Sequence, residues 1–477
     1  MALPGVRRTP TLDVADVQGL VVRGYGRLPH AAFLVCAVRD PAAVRVFLRD
    51  RIGDVTTGLG QPAEHALNIA FTAPGLVAIG LPDDVVAGGF SAPFVEGMTT
   101  DHRRRLLGDL GPAAPERWAW GGPDTPPVHA MVLLYAATPE ILDEQRGAVL
   151  AGAAFDVVAE LRTDELGSRE AFGFVDGLSQ PRLAGLPGGA PGRTVATGEF
   201  VLGYPNVYDQ LAPRPLLDPA TDPGRILPRD PVGTGAADLG IGGSYLVVRQ
   251  LRQDAEAFTT FLRERTRTAE GSEDVPAQER LAAKMVGRWR SGAPLVLAPD
   301  ADDPDTAVAD FGYHAEDPQG LACPLGAHIR RANPRDALPP KPGSERSLRL
   351  TDHHRLLRRA RSYTVSYDDR PDERGLHFLC LVGDLSRQYE FVQHSWINDP
   401  VFNGLHDDAD PLVAPRGTRG STFAEQAEPV SRRHRDLPEF VRVRGGAYFF
   451  LPGVAALRYL ARIPSTQLPP GPDEESR

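Results

Sequence analysis

The sequence contains few cysteines, with only Cys36, Cys323 and Cys380 among 477 residues. They form no CxxC pair and no even set, which argues against a disulfide framework and against a zinc ribbon. The chain also lacks an apolar run long enough to cross a membrane, and no apolar segment follows Arg7 and Arg8. We therefore expect a cytoplasmic protein that is not exported and has no membrane partner.

An excess of positive charge is also missing. The 52 lysine and arginine residues are outnumbered by 62 aspartate and glutamate residues, which gives a formal net charge of −10. Nucleic acids are bound by basic surfaces, so we expect no nucleic-acid partner. The sequence contains no GxSxG, no P-loop, no GxGxxG and no HExxH, so the chemistries that these motifs serve are not indicated.

The composition is that of a globular protein, with 42% hydrophobic and 24% charged residues. Patterns typical of strands and helices alternate in both halves of the chain, and a region rich in proline and glycine separates the halves at 185–240. This order fits a doubly wound parallel sheet and a ferredoxin-like antiparallel sheet equally well. The polar, proline-rich residues 464–477 predict a disordered tail.

The most distinctive polar stretch is CPLGAHIRRANPRD, residues 323–336. A neutral imidazole such as that of His328 can ligate a transition metal or a haem iron, and guanidinium groups can fork onto carboxylates such as haem propionates. A histidine beside arginines is also common on protein surfaces. This segment alone therefore leaves both interpretations open.

Two further stretches contain candidate functional groups. In REAFGFVDGLSQP, residues 169–181, Asp176 lies among apolar residues and could act as an acid–base group, although Asp-Gly is more often a simple turn. In DHHRLLRRARSYT, residues 352–364, Arg358 or Arg359 could point inward and stabilise negative charge on a ligand. An exposed basic helix end is the alternative interpretation of the second stretch.

Taken together, these stretches resemble those of the dye-decolourising peroxidase family of haem peroxidases. The family's GxxDG signature is present at 173–177, and further similarity includes VQGLVVRGYG, GEFVLGYPN, GSYLVVRQLRQD and VRGGAYFFLP, in matching order from about residue 14 to 462. The long form resembles the cytoplasmic bacterial subgroup. The resemblance implies an α+β fold of two ferredoxin-like halves, each an antiparallel sheet with packed helices, with haem in the C-terminal half.

The implied division of the chain has four parts. These are an N-terminal half at 14–165, a connecting segment with the GxxDG motif and long loops at 166–240, a C-terminal haem-binding half at 241–463, and the tail at 464–477.

Carried over to this sequence, the resemblance makes His328 the ligand of the haem iron, Asp176 the distal acid–base residue and Arg358 the distal arginine. Arg359 is the neighbouring alternative to Arg358. An acidic partner for His328 is expected, and Glu390 and Asp399 are candidates.

Other residues are implied to contact the haem. Leu376 and Phe378 would wall the distal pocket, and Gly173 and Gly177 would let the backbone pass close to the cofactor. Arg330 and Arg331 are weaker candidates for contacts to the propionates.

The resemblance implies a haem peroxidase with one haem b per chain. It would reduce hydrogen peroxide and oxidise dyes, phenols or other organic electron donors through an iron-oxo intermediate, and family analogy allows a homodimer. Departures from the family at Ala171, Gly243, Ala360 and Thr364 keep a second function open, that of a haem-binding or haem- and iron-handling protein with little peroxidase turnover. A scaffold without cofactor is a third interpretation.

Overall fold

One large antiparallel sheet organises the fold. A computed structural model of the protein describes residues 11–167, 169–186, 193–369, 371–416 and 421–463. Nine strands within these residues form the sheet, and each of their pairings is antiparallel. The doubly wound parallel sheet is therefore excluded, and the predicted α+β fold class is confirmed.

The N-terminal unit places four strands in ferredoxin-like order. Its strands are β1 (His30–Val38), β2 (His65–Phe71), β3 (Ala130–Ala136) and β4 (Phe155–Arg162). Its helices are α1 (Gly19–Val22), α2 (Pro41–Arg51), α3 (Ala73–Ala78), α4 (Asp83–Gly89), α5 (Ala92–Glu96), α6 (Asp101–Leu107) and α7 (Pro139–Leu150). The spatial order β4–β1–β3–β2, with α2 after β1 and α7 after β3, is that of a ferredoxin-like unit.

Local sequence signals explain where the two longest of these helices begin. The carboxylate of Asp40 accepts a hydrogen bond from the backbone N–H of Ala42 at 2.8 Å, and Pro41 occupies the first turn of α2. At the start of α7, the Thr138 side chain accepts a hydrogen bond from the backbone N–H of Ile141, and Pro139 occupies the first turn. A capping side chain followed by proline satisfies backbone groups that the first helical turn leaves unpaired.

Mostly irregular chain connects the two units, as the proline and glycine content predicts. Its described residues contain two short paired strands, β5 (Leu216–Leu217) and β6 (Ala237–Asp238), and two 3₁₀ turns at Thr197–Glu199 and Pro219–Thr221.

The C-terminal unit repeats the ferredoxin-like order. Its elements are β7 (Ser244–Gln253), α8 (Ala255–Arg265), α9 (Val275–Val286), α10 (His328–Ala332), α11 (Glu345–Asp352), β8 (Leu357–Arg358), β9 (Arg361–Val365), β10 (Glu373–Val382), β11 (Phe423–Glu425), β12 (Arg432–His434), β13 (Val441–Leu451) and α12 (Val454–Leu460). The order is β13–β7–β10, with β8 and β9 both pairing with β10. Two π-helical stretches, Leu385–Glu390 and Val392–Ile397, follow β10.

The two units share a joined sheet and the apolar clusters on its two faces. Phe71 of β2 pairs with Phe450 of β13, which joins the units edge to edge. Apolar clusters cover both faces of the joined sheet, and alternate residues of β1, such as Phe33 and Leu34, belong to opposite clusters. The predicted domain boundaries at 166 and 241 stay a prediction, and the predicted tail at 464–477 lies outside the described residues. Within the described ranges, the helices are all too short or too polar to span a membrane.

Candidate active site

A cavity of about 310 Å³ lies against the C-terminal unit. Its wall includes strands of that unit, the loop at 170–179, residues of α10, and Leu107 to Asp109 from the N-terminal unit. Its size is in the range of pockets that bind small molecules, roughly 300–1,000 Å³. The predicted site residues that line it are Asp176, His328, Arg358, Leu376 and Phe378.

The sheet forms one wall of the cavity. Leu376 and Phe378 are two residues apart on β10, so both side chains project from the same face. They pair in register with Leu251 and Arg249 of β7, which also line the cavity. Leu376 and Phe378 therefore lie side by side on the cavity face of the sheet.

His328 begins α10 and turns its ring toward the cavity, which accounts for the 31% exposure of its side chain. Nδ1 of the ring lies 2.8 Å from Oδ2 of Asp410, a carboxylate that is fully buried. The other oxygen of Asp410 accepts hydrogen bonds from the backbone N–H groups of Leu412 and Val413, each at 2.9 Å. An ionised Asp410 accepts a hydrogen bond from the Nδ1–H group of His328, so the lone pair of Nε2 is free to bind a metal.

The two groups stabilise each other's charge state. Burial lowers the pKa of His328, but the Asp410 carboxylate raises it by more, so the pKa lies above its ordinary value. Burial raises the pKa of Asp410, whereas His328 and the backbone donors lower it by more, so the pKa lies below its ordinary value. Asp410 is therefore ionised at neutral pH and strengthens the imidazole as an electron donor.

Asp410 corrects the sequence-based candidates for the acidic partner. The carboxylate of Glu390 instead accepts hydrogen bonds from Arg103 and Tyr448. The carboxylate of Asp399 accepts one from the backbone N–H of Val401. No local sequence pattern singles out Asp410, because it lies 82 residues from His328 in the chain.

Asp176 and Arg358 meet at the cavity from distant parts of the chain. Nη1 of Arg358 lies 3.2 Å from Oδ1 of Asp176, and Nη2 donates to the carbonyl of Leu178 at 3.0 Å. Both side chains are partly exposed, at 33% for Arg358 and 28% for Asp176. A carboxylate that can move a proton thus lies beside a fixed positive charge.

Arg359, the neighbouring alternative, points elsewhere. Its guanidinium donates to the carbonyls of Leu20 and Val21 near the end of α1. The segment is not an exposed helix end: Arg358 ends the short strand β8, and Arg359 follows directly after it. Arg358 is therefore the arginine that serves the cavity.

Gly173 and Gly177 shape the loop that carries Asp176, and neither lines the cavity. Both have positive φ angles, 90° and 82°, which favour glycine. A Cβ atom on Gly173 would lie 2.4 Å from the guanidinium of Arg290. Both glycines thus serve the turn that carries Asp176, and their close contact with a cofactor stays a prediction.

The predicted propionate contacts of Arg330 and Arg331 are not supported by their positions. Both side chains are buried, and neither residue lines the cavity. Arg330 donates to Asp317 and to the carbonyl of Cys323. Arg331 donates to four backbone carbonyls, those of Gly326, Trp396, Asp399 and Asp408. The protein thus uses these guanidinium groups to hold its own chain.

Three other arginines line the cavity and converge on Ser179. Arg288 donates to the Ser179 hydroxyl at 2.6 Å, Arg335 to the same hydroxyl at 3.4 Å, and Arg355 to the Ser179 carbonyl at 3.2 Å. Burial lowers the pKa of Arg288 and of Arg355 to about 10, and the charge of Arg335 contributes to both shifts. Within the described ranges, none of the three forms an ion pair with a carboxylate.

These features fit a haem group. Buried positive charges that lack carboxylate partners call for an anion, and the propionates of haem supply two. His328 offers a nitrogen ligand supported by a carboxylate, and the sheet offers an apolar wall that includes Leu376 and Phe378.

Comparisons with known proteins show that the chain is similar to dye-decolourising peroxidases. No protein-family model matches the chain. The chain is 30% identical to the multifunctional dye peroxidase of Amycolatopsis sp., and the match covers 88% of this chain and 90% of that protein. The crystal structure of a fungal DyP-type peroxidase from Auricularia auricula-judae superposes with a TM-score of 0.73 at 26% identity, over 94% of this chain and 99% of that chain. A dye-decolorizing peroxidase solved in complex with 2,6-dimethoxyphenol has the same fold, with a TM-score of 0.74 at 24% identity, over 94% of this chain and 100% of that one.

Proposed function

Because the chain belongs to the dye-decolourising peroxidase family, we propose that its cavity binds haem at His328 and reduces hydrogen peroxide with Asp176 and Arg358. The protein is a haem peroxidase that passes the oxidising equivalents to organic donors such as dyes and phenols. The observation that supports the residue roles is the meeting of these three side chains at one cavity, although they come from three distant segments.

Haem, when bound, supplies the iron that binds peroxide and stores the oxidising equivalents released when the O–O bond breaks. A carboxylate oxygen of Asp176 takes a proton from the peroxide and returns it to the departing oxygen, which leaves as water. Arg358 stays charged throughout and stabilises the negative charge that develops on the peroxide. Its contact with Asp176 also holds the carboxylate in place.

His328 and the arginines around Ser179 hold the cofactor. Asp410 keeps the Nε2 lone pair of His328 available to the iron. Arg288, Arg335 and Arg355 provide the positive charges for the propionates, in place of Arg330 and Arg331.

The finer predictions about the cofactor, the assembly and the location are part of this proposal. One haem b per chain is supported by the presence of one histidine, His328, among the described residues that line the cavity. A pyridine haemochrome assay on a protein of known concentration tests both type and number. The three cysteines are buried and unpaired, which supports a cytoplasmic location. Cell fractionation tests the location, and analytical ultracentrifugation tests the homodimer that family analogy suggests.

The proposed roles of Asp176 and Arg358 can be tested by stopped-flow absorbance of the haem-loaded protein mixed with peroxide. Asp176→Asn removes the proton acceptor and should slow the Soret change by about 10²- to 10⁴-fold. Arg358→Leu removes the fixed charge and should slow it by about 10²- to 10³-fold. Arg359→Lys is the matched control, because Arg359 does not line the cavity and its guanidinium donates to the backbone carbonyls of Leu20, Val21 and Arg358.

In all variants the haem should remain bound, since neither Asp176 nor Arg358 is the iron ligand. If Asp176→Asn and Arg358→Leu both react as fast as the parent, the distal assignments are wrong. A Soret band that ignores peroxide even in the parent would favour the haem-handling interpretation.

A further inference from the structure

Two buried tyrosines lead away from the cavity. Tyr389 lines the cavity, and its ring centroid lies 6.2 Å from that of Phe378 in the cavity wall. The ring of Tyr448, on β13, follows at 6.1 Å from Tyr389 in an edge-on arrangement. Both tyrosines are at most 5% exposed. The three rings form an aromatic path that begins at the cavity and ends at a buried phenol.

The phenol at the end of this path has a proton acceptor in place. The Tyr448 hydroxyl donates to Oε1 of Glu390 at 3.0 Å. The other oxygen of Glu390 accepts from Nη1 of Arg103 at 2.6 Å, and the Glu390 side chain is only 2% exposed. Burial raises the pKa of Glu390, against the lowering effect of Arg103. Glu390 is therefore a stronger base than an ordinary carboxylate, and its orientation toward Tyr448 is fixed.

Tyr389 lacks such an acceptor. Among the described residues, no carboxylate accepts a hydrogen bond from its hydroxyl, and its pKa is raised by burial and lowered by the charge of Arg249. Arg249 is buried and paired with Asp109. The charge of Arg249 acts on both tyrosines, but among the described residues only the hydroxyl of Tyr448 has a carboxylate in place to take its proton.

We propose that Tyr448 is an internal one-electron donor to the haem, with Tyr389 as the intermediate step and Glu390 as the proton acceptor. The inference rests on the proposed peroxidase function, which supplies the oxidant. One electron leaves Tyr448 by way of the Tyr389 ring and reduces the oxidised cofactor by one equivalent. The O–H bond of Tyr448 breaks at the same time, its proton passes to Oε1 of Glu390, and a neutral tyrosyl radical remains.

An electron from an external donor, together with the proton held by Glu390, restores Tyr448. When no donor is at the cavity, the oxidising equivalent is thus held on Tyr448. Tyr448 therefore protects the other side chains of the cavity from oxidation.

Freeze-quench electron paramagnetic resonance tests the proposal on the haem-loaded full chain. The protein is mixed with one equivalent of hydrogen peroxide and no donor, and ring-deuterated tyrosine identifies a tyrosyl signal by its narrowing. The parent should give this signal, Tyr448→Phe should lose it, and Glu390→Gln should reduce its yield because the proton acceptor is gone. Tyr245→Phe is the control, because Tyr245 is equally buried and its hydroxyl accepts a hydrogen bond from the backbone N–H of Ser91 at 3.0 Å.

The Soret band of the same samples separates the possible failures. If the band responds to peroxide but the tyrosyl signal is absent from the parent or unchanged in Tyr448→Phe, the tyrosine assignment is overturned and the peroxidase function stands. If the band does not respond in the parent, the proposed function and this inference fall together.

Discussion

Replacing Asp410 by asparagine should weaken His328 as an iron ligand, while a polar side chain of the same size stays beside the ring. The amide oxygen of the new side chain would keep the hydrogen bonds from the N–H groups of Leu412 and Val413. Its NH₂ group would then face Nδ1 of His328, where the carboxylate now accepts at 2.8 Å. Two donors cannot share that contact, so the imidazole must carry its proton on Nε2, the nitrogen that the iron needs.

The size of the effect follows from the loss of one such carboxylate partner. Changes of this kind typically weaken metal binding by about 10- to 100-fold, or about 1.4–2.8 kcal/mol. Haem affinity should fall by this amount in Asp410→Asn. The reduction potential of the bound iron should rise, because a less basic imidazole donates less electron density.

Haem titration of the apoprotein and spectroelectrochemistry of the loaded protein measure the two quantities. Asp399→Asn serves as the control, since the Asp399 carboxylate accepts only from the backbone N–H of Val401. If Asp410→Asn binds haem as tightly as the parent and at the same potential, the proposed support of His328 by Asp410 is wrong.

Three further predictions concern residues whose roles the structure reassigns or reveals. Arg330→Met should lower the free energy of unfolding by about 3–5 kcal/mol, measured in urea, because it leaves the buried Asp317 carboxylate without its ion-pair partner. Arg355→Gln should speed haem transfer to apomyoglobin, because it removes one of the positive charges proposed to bind the propionates. Transfer at the parental rate would show that the arginines around Ser179 do not hold the cofactor. Burial lowers the pKa of His377 to about 4 in the folded protein, below its value in the unfolded chain. The contribution of His377 to stability is therefore complete above the unfolded pKa and is lost as the pH falls from there toward 4. Relative to His377→Phe, the parent should lose about 2 kcal/mol between pH 7 and pH 5 in urea unfolding, and equal losses in both proteins would contradict the assignment.

Much of the site could be predicted from the sequence because its main groups lie in distinctive short segments. His328, Asp176 and Arg358 each belong to a stretch whose composition stands out, and the resemblance to the family supplied their roles. The alternation of strand and helix patterns predicted the elements, but it could not distinguish parallel from antiparallel pairing. That choice depends on which strands become neighbours, a property of the whole chain.

The arginines show where sequence reasoning failed. On α10 the residues that share the cavity face with His328 are Ile329 and Ala332, so Arg330 and Arg331 project from the other side of the helix. Arg335 and Arg355 lie in the same two segments that were singled out, yet their direction depends on turns that the sequence pattern does not reveal. Arg335, for example, has a φ of 54°.

Asp410 could not be found in this way at all. Its function comes from a tertiary contact, and its neighbours in the sequence carry no pattern that points to His328.

The most direct test of the account is the absorption spectrum of the purified, haem-loaded protein before and after one equivalent of hydrogen peroxide, with His328→Ala prepared in parallel. We predict a Soret band in the parent that changes promptly on mixing and returns when a phenolic donor is added, and severely weakened haem retention in His328→Ala. Full haem retention in His328→Ala, or a parental Soret band that does not respond to peroxide, would contradict the central claim that this cavity is a peroxidase site built on His328.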